Sequence, residues 1–324
     1  FLMSSTIKTV YKARSGSEAE LNLLMTAMLI HAKLDAAAVV LSTRSNGFID
    51  VDIPQPSQLN YVVSKLRLGG KAYYLDASDR DLGFGQLPLE CYNGYDIAVD
   101  TTELYPENAL SADSLTEKTK VVVFLTNGDK GGMDASVQSY PGPAEAVEIR
   151  KKMKGPDGEK KFIDGLRAGF PTDESISGLE IDSLGRPDDP MVVNYNCHLD
   201  MDSAADKLYI TPTMVGRLAV NPFKETERHY PVEMPYARDE NYILTLDIPG
   251  GYVVDELPQS TQILLGDGSY FEYVMSHDGD QIHFRTRLKL VRANFEPDAY
   301  AFLRNFFAAI VDKEGEQIVF RRKK

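Results

Sequence analysis

The segment GSEAELNLLMTAML (residues 16–29) constrains the fold most, because it joins a helix start to a long apolar run. Ser17 and Glu20 have the spacing of a capping box, in which the serine oxygen accepts from the third helical amide and the glutamate accepts from the N-cap amide. Apolar residues at i, i+3, i+4 and i+7 follow: Leu21, Leu24, Met25 and Met28. With further apolar residues on the other faces, the pattern predicts a helix over residues 17–34 that is buried nearly all round.

Strand patterns follow this helix. Residues 37–41 (AAVVL) form a short apolar run, and residues 45–47 (SNG) have the composition of a turn. Residues 60–68 and 71–75 flank the dipeptide Gly69-Gly70, which predicts a β-hairpin. A helix followed by antiparallel strands that pack on it indicates an α+β fold.

Five short motifs in this order resemble those of bacterial transglutaminase-like proteins, which have the papain-like fold. They are residues 16–29, 41–47 (LSTRSNG), 59–63 (LNYVV), 74–77 (YLDA) and 84–88 (FGQLP). The chain resembles a branch of envelope proteins in which two domains of unknown function flank the transglutaminase-like core, one before it and one after it. The resemblance implies a transglutaminase-like core and a periplasmic or envelope location. Because such folds place helices before the one that carries the nucleophile, we expect that this chain lacks the first helices of the core.

The resemblance also identifies three positions, where catalytic members of the family have Cys, His and Asp. Here they are Ser17, Tyr61 and Asp76. A serine hydroxyl becomes a nucleophile only when an adjacent base removes its proton, and a tyrosine titrates about three units above the useful range. We therefore assign no catalytic residue with confidence and interpret the chain as a catalytically inactive binding or scaffolding protein. Asp76 is the one position that keeps a possible functional role.

Two alternatives to this interpretation stay open. One is a hydrolase or acyltransferase that uses Ser17 with an unrecognised base, but His31 lies roughly 21 Å from Ser17 along the same helix. His283 alternates with apolar residues on a strand and is expected to face water. The remaining histidines lie in later segments: His198, His229 and His277. The other alternative is peptide or carbohydrate binding by the second domain alone.

Size and composition limit the class of protein. The 324 residues suffice for two domains, and 43% hydrophobic with 26% charged residues is typical of a folded chain. A net charge of −13 disfavours nucleic acid as a partner. No run of about 18 apolar residues is present, so we expect no membrane-spanning segment. Cys91 and Cys197 are too far apart in sequence to form a metal motif, and the strand pattern around Cys197 predicts a buried free thiol.

The predicted domains are a transglutaminase-like core over residues 1–105 and a mostly antiparallel β-sandwich with a few helices over residues 106–324. A division of the second into two lobes is expected near Pro222. Two helices are predicted within residues 144–166, and a further helix begins at Pro297.

Two oxygen-rich segments carry side chains that can bind a hard cation. One is an alternating strand face of Asn194, Asn196, His198, Asp200 and Asp202. Its groups are nearly 7 Å apart along a straight strand, which favours a solvated face. The other is the acidic turn at residues 76–81, which lacks the glycine and distal glutamate of an EF-hand. We expect no metal and no cofactor, and a protein, peptide or glycan ligand.

Overall fold

The structure is a computed structural model that describes residues 3–53, 55–99, 106–129, 131–168, 175–202 and 204–323. The chain divides into two compact units. Unit 1 comprises residues 1–115, 186–189 and 234–236, and unit 2 comprises residues 116–185, 190–233 and 237–324. The fold class is α+β with mostly antiparallel sheets and few helices, as the sequence predicts.

Unit 1 consists of two helices and a five-stranded antiparallel sheet in the order β3-β2-β1-β4-β5. The helices are α1 (Ile7–Ala13), which was not predicted, and α2 (Glu18–His31). The strands are β1 (Asp35–Leu41), β2 (Tyr61–Leu68), β3 (Lys71–Leu75), β4 (Gly94–Val99) and β5 (Pro106–Leu110).

Helix α2 begins where the sequence predicts, with Ser17 as N-cap and the complete capping box. It ends at His31, three residues earlier than predicted, because Lys33 adopts a left-handed backbone with φ of 64°. The prediction that this helix is buried nearly all round is wrong. Asn22 and Thr26 are buried, whereas Met28 is exposed, because the helix turns a polar stripe towards β2.

The β2–β3 hairpin is confirmed. Gly69 and Gly70 connect the strands with φ of 59° and 78°, a backbone region that glycine adopts without steric cost. In the register of this hairpin, Ser64 lies opposite Leu75. Asp76 is therefore the first residue after the last paired residue of β3.

Unit 2 is built on an eight-stranded sheet in the order β14-β15-β16-β12-β6-β7-β9-β8. Its strands are β6 (Thr116–Asn127), β7 (Met133–Tyr140), β8 (Ser175–Asp182), β9 (Val192–Leu199), β12 (Ala237–Asp247), β14 (Thr261–Leu264), β15 (Tyr270–Asp278) and β16 (Gln281–Leu290). All neighbouring strands are antiparallel except β6 and β12, which pair in parallel. The sequence did not predict this parallel junction.

Smaller elements complete unit 2. A three-stranded sheet contains β10 (Lys207–Ile210), β13 (Tyr252–Glu256) and β18 (Ile318–Arg322), and a two-stranded sheet contains β11 (Val232–Glu233) and β17 (Asn294–Phe295). The helices are α3 (Pro143–Lys154), α4 (Gly158–Arg167) and α5 (Tyr300–Glu314). The interruption between α3 and α4 is confirmed.

The β-sandwich prediction is met in its coarse form, as a β-rich and mostly antiparallel unit with few helices. Residue 105, at the predicted domain boundary, lies outside the described residues, and the division near Pro222 stays a prediction. Within the described part of the chain, no helix has the length and apolar character needed to cross a membrane.

Candidate functional site

Asp76 is the centre of a hydrogen-bond network in unit 1. Its Oδ1 accepts from Asn22 Nδ2 at 2.9 Å, and from Ser78 N at 2.7 Å and Ser78 Oγ at 2.6 Å. Its Oδ2 accepts from Tyr61 Oη at 2.7 Å. Both carboxylate oxygens are thus already engaged by donors from α2, from β2 and from the turn after β3.

Tyr61 lies at the first position of β2 and meets Asp76 as a donor. Its side chain is 8% exposed and belongs to a hydrophobic cluster with Leu87 and Cys91. Burial raises the pKa of the Tyr61 phenol, and the neighbouring Asp76 adds to this rise. The phenol therefore keeps its proton and cannot act as a general base near neutral pH.

Ser17 does not join this pair. Its Oγ accepts from Glu20 N at 3.4 Å, and its own N–H donates to Glu20 Oε2 at 2.8 Å. Among the hydrogen bonds of the described residues, none connects Ser17 with Tyr61 or Asp76. The structure thus brings together two of the three positions, and the third acts as a helix cap.

Glu18 is the residue of α2 that interacts electrostatically with Asp76, and sequence reasoning missed it. Burial and, after it, the negative charge of Asp76 raise the pKa of its carboxyl to about 7, although a hydrogen bond from the Val62 amide opposes the rise. An N-cap side chain must fold back onto its own helix, whereas the next side chain is free to face another element. A shift of the motif by one residue would have identified Glu18.

Asn22 is the second residue that sequence reasoning missed. It is fully buried, and its Nδ2 donates to Val62 O at 2.8 Å as well as to Asp76. Its Oδ1 accepts from Ala77 N at 2.7 Å. An amide in the middle of an apolar helix was the available indication, because such a group must find partners when it is buried.

Cys91 belongs to the same hydrophobic cluster as Tyr61, but it is not a replacement nucleophile. It is 1% exposed and free. Burial raises the pKa of the thiol, and the negative charges of Asp76, Glu90 and Glu18 raise it further. A thiol in such surroundings stays protonated and unreactive. Cys197 is likewise a buried thiol, and it forms no disulfide within the described residues, as predicted.

The two oxygen-rich segments have other bonding partners. In unit 2, His198 Nδ1 lies 2.6 Å from Asp134 Oδ1, and His198 Nε2 lies 3.5 Å from Asp200 Oδ1. In the turn of unit 1, Asp79 Oδ1 accepts from Asp81 N at 2.9 Å. Within the described residues, no group of three or more His, Cys, Asp or Glu side chains is arranged to hold a metal ion.

Comparisons with known proteins concern one part of the chain in sequence and nearly all of it in structure. Residues 206–320 match the family DUF3858, "Domain of Unknown Function with solved-structure structure". No curated protein matches the chain in sequence. The chain is similar to the crystal structure of a "putative protease" from Parabacteroides distasonis ATCC 8503, with 14% sequence identity and a TM-score of 0.48. The match covers 97% of this chain and 46% of that one, so this chain spans about half of that protein's length.

Proposed function

We propose that unit 1 is a transglutaminase-like module without catalytic activity, and that the chain acts as a binding or scaffolding protein in the bacterial envelope. The observation that carries this proposal is the hydrogen bonding of the Asp76 carboxylate. Four hydrogen bonds, one from Tyr61, one from Asn22 and two from Ser78, occupy its carboxylate. A carboxylate held in this way stabilises the fold and has no imidazole to orient.

The neighbourhood of Asp76 also lacks the other parts that acyl transfer requires. A nucleophile must be activated by a base or by a lowered pKa, but Ser17 Oγ is an acceptor in the helix cap. Tyr61 and Cys91 are buried groups whose pKa values are raised. The order of elements, with α2 before an antiparallel sheet and Asp76 after β3, supports the resemblance to the transglutaminase-like core.

The envelope location rests on the sequence resemblance, as does the type of ligand. Envelope proteins meet peptides, glycans and other proteins, and the chain's net charge of −13 favours ligands other than nucleic acid. We therefore propose a protein, peptide or glycan partner.

Covalent labelling tests the loss of catalysis. We expect that a fluorophosphonate probe leaves Ser17 unmodified, since no base activates its hydroxyl, and that iodoacetamide leaves Cys91 unmodified in the folded protein. Intact-protein mass spectrometry of the wild type and of Ser17→Ala measures both. A fluorophosphonate adduct that forms on the wild type and is absent from Ser17→Ala would support the hydrolase alternative instead.

A further inference from the structure

A cavity of about 140 Å³ lies within unit 2, between the eight-stranded sheet and the end of α5. Its floor is apolar and comes from the central strands and α5. These lining residues are Val121, Tyr242, Phe271, Leu288 and Ile310. A cavity of this size suits a ligand of a few heavy atoms rather than a peptide or glycan. Its occupant is therefore a different molecule from the partner proposed above.

The charged groups of the cavity leave one carboxylate without a cation. Arg238 and Glu240 form an ion pair with each other on β12. Glu314, at the end of α5, accepts one hydrogen bond, from Leu218 N at 2.7 Å. In the described part of the chain, no basic side chain forms an ion pair with Glu314. The charged side chains that line the cavity are thus one guanidinium and two carboxylates. Arg217, outside the lining, also acts on Glu314 through its positive charge but forms no ion pair with it among the described residues.

An unpartnered hydroxyl lines the same cavity. Thr213 is 4% exposed, and its Oγ1 has no hydrogen-bond partner among the described residues. A buried hydroxyl without a partner is costly, typically about 1–3 kcal/mol. Its position in the wall of a cavity that also contains Glu314 indicates that a ligand or solvent molecule completes the bonding.

We propose that this cavity binds a small aliphatic primary ammonium ion. Its N–H groups donate to the Glu314 carboxylate and the Thr213 hydroxyl, and its hydrocarbon chain lies against Val121, Tyr242 and Phe271. An ammonium group has three donors and no acceptor, which matches a carboxylate that uses one of its acceptor sites and a hydroxyl oxygen without a partner. An anion would meet the unneutralised carboxylate, because the guanidinium of the cavity already has its partner in Glu240.

Binding of n-butylamine to the full chain tests this site, with 1-butanol as the uncharged ligand of equal size. Isothermal titration calorimetry at about pH 8 is suitable, since the pKa of Glu314, raised by burial to about 7, leaves the carboxylate mostly ionised there. We expect the amine to bind at least tenfold more tightly than the alcohol, because a charge-assisted hydrogen bond is lost with the alcohol. Equal affinities, or no binding of the amine, would overturn the proposal.

Variants separate the site from the general negative charge of the protein. Glu314→Gln should reduce the affinity for the amine at least tenfold and leave the affinity for the alcohol unchanged. Thr213→Val should reduce the affinity for the amine by a smaller factor. Asp298→Asn removes the same charge from an exposed position just before α5 and should bind the amine like the wild type. Retained amine binding in Glu314→Gln, or an equal loss in Asp298→Asn, contradicts the assignment. Circular dichroism of each variant verifies that the fold is intact.

Discussion

At the residue scale, the buried amide of Asn22 holds three parts of unit 1 together. It bonds the Val62 carbonyl on β2, the Asp76 carboxylate and the Ala77 amide after β3. The strand position of Tyr61 and the turn position of Asp76 are thereby fixed relative to α2. The positions of Tyr61 and Asp76 are thus maintained by a hydrogen-bond network of Asn22, Tyr61 and Ser78 around the Asp76 carboxylate.

Replacement of Asn22 by alanine should destabilise the protein strongly. The change leaves the buried Val62 carbonyl without its donor and removes the acceptor of the Ala77 amide, and we expect a loss of about 3 kcal/mol in the free energy of unfolding. Ser17→Ala removes only a helix cap and should cost about 1 kcal/mol. Urea denaturation measures both. A loss for Asn22→Ala no larger than that for Ser17→Ala would show that the network contributes little.

Buried carboxyl groups with raised pKa values make the stability depend on pH. Burial raises the pKa of Glu314 to about 7, of Glu18 to about 7 and of Asp96 to about 6. The folded state then binds more protons than the unfolded state between about pH 4.5 and 7, so the free energy of unfolding falls as the pH rises through this range. We expect the protein to be more stable at about pH 5 than at about pH 8 in thermal denaturation.

Glu314→Gln isolates the contribution of Glu314, which lies in unit 2. The amide keeps an acceptor for Leu218 N but never becomes charged. The variant should therefore gain stability at about pH 8, on the order of 3 kcal/mol, and should show a weaker pH dependence. If the variant and the wild type have the same pH dependence between about pH 5 and 8, then Glu314 is not the group responsible.

At the element scale, helix α3 receives its N-terminal cap from a neighbouring strand. Its N-cap residue Gly142 has no side chain, and the Glu117 carboxylate of β6 accepts instead from Ala144 N at 3.2 Å and Glu145 N at 2.9 Å. A Cβ on Gly142 would collide with that carboxylate. The glycine therefore permits the close approach that lets the strand cap the helix.

Loss of this cap should destabilise unit 2. Glu117→Ala removes the acceptor for both α3 amides, and we expect a decrease of about 2 kcal/mol in the free energy of unfolding. Glu148→Ala, at an exposed position of the same helix, should change it by less than about 0.5 kcal/mol. Chemical denaturation followed by circular dichroism compares the two. Similar effects of both substitutions would mean that Glu117 does not cap α3.

Local patterns predicted the elements that depend on local chemistry. The capping box located the start of α2, the Gly69-Gly70 pair located the hairpin, and the break between α3 and α4 followed from their glycines and proline. The parallel pairing of β6 and β12 joins residues about 120 positions apart in the chain. Such pairing is non-local and has no local pattern. The role of Glu18 depends on how α2 faces β2, which is also a tertiary property.

At the scale of the whole molecule, each unit has its own buried core. In unit 2, Val123 on β6 and Leu244 on β12 are fully buried neighbours across the parallel junction. The family match at residues 206–320 includes β12 but not β6. The eight-stranded sheet therefore needs strands from both sides of the boundary of that match.

A fragment of residues 116–324 should unfold cooperatively, because it contains all eight strands of this sheet. Leu244→Ala should destabilise the fragment by about 2–5 kcal/mol, since it creates a cavity in the centre of the sheet. Phe124→Ala, at a half-exposed position of β6, is the control and should cost less. Thermal denaturation tests this, and a fragment without a cooperative transition would contradict the independence of unit 2.

Turnover of peptide and glutamine-containing substrates by the wild-type chain shows directly whether unit 1 is catalytic. We expect no turnover above the uncatalysed rate, because Asp76 accepts a hydrogen bond from Tyr61 and Ser17 caps helix α2. Asp76→Asn and Ser17→Ala should then differ from the wild type in stability alone. Measurable turnover by the wild type that either substitution abolishes would show that unit 1 is an active enzyme.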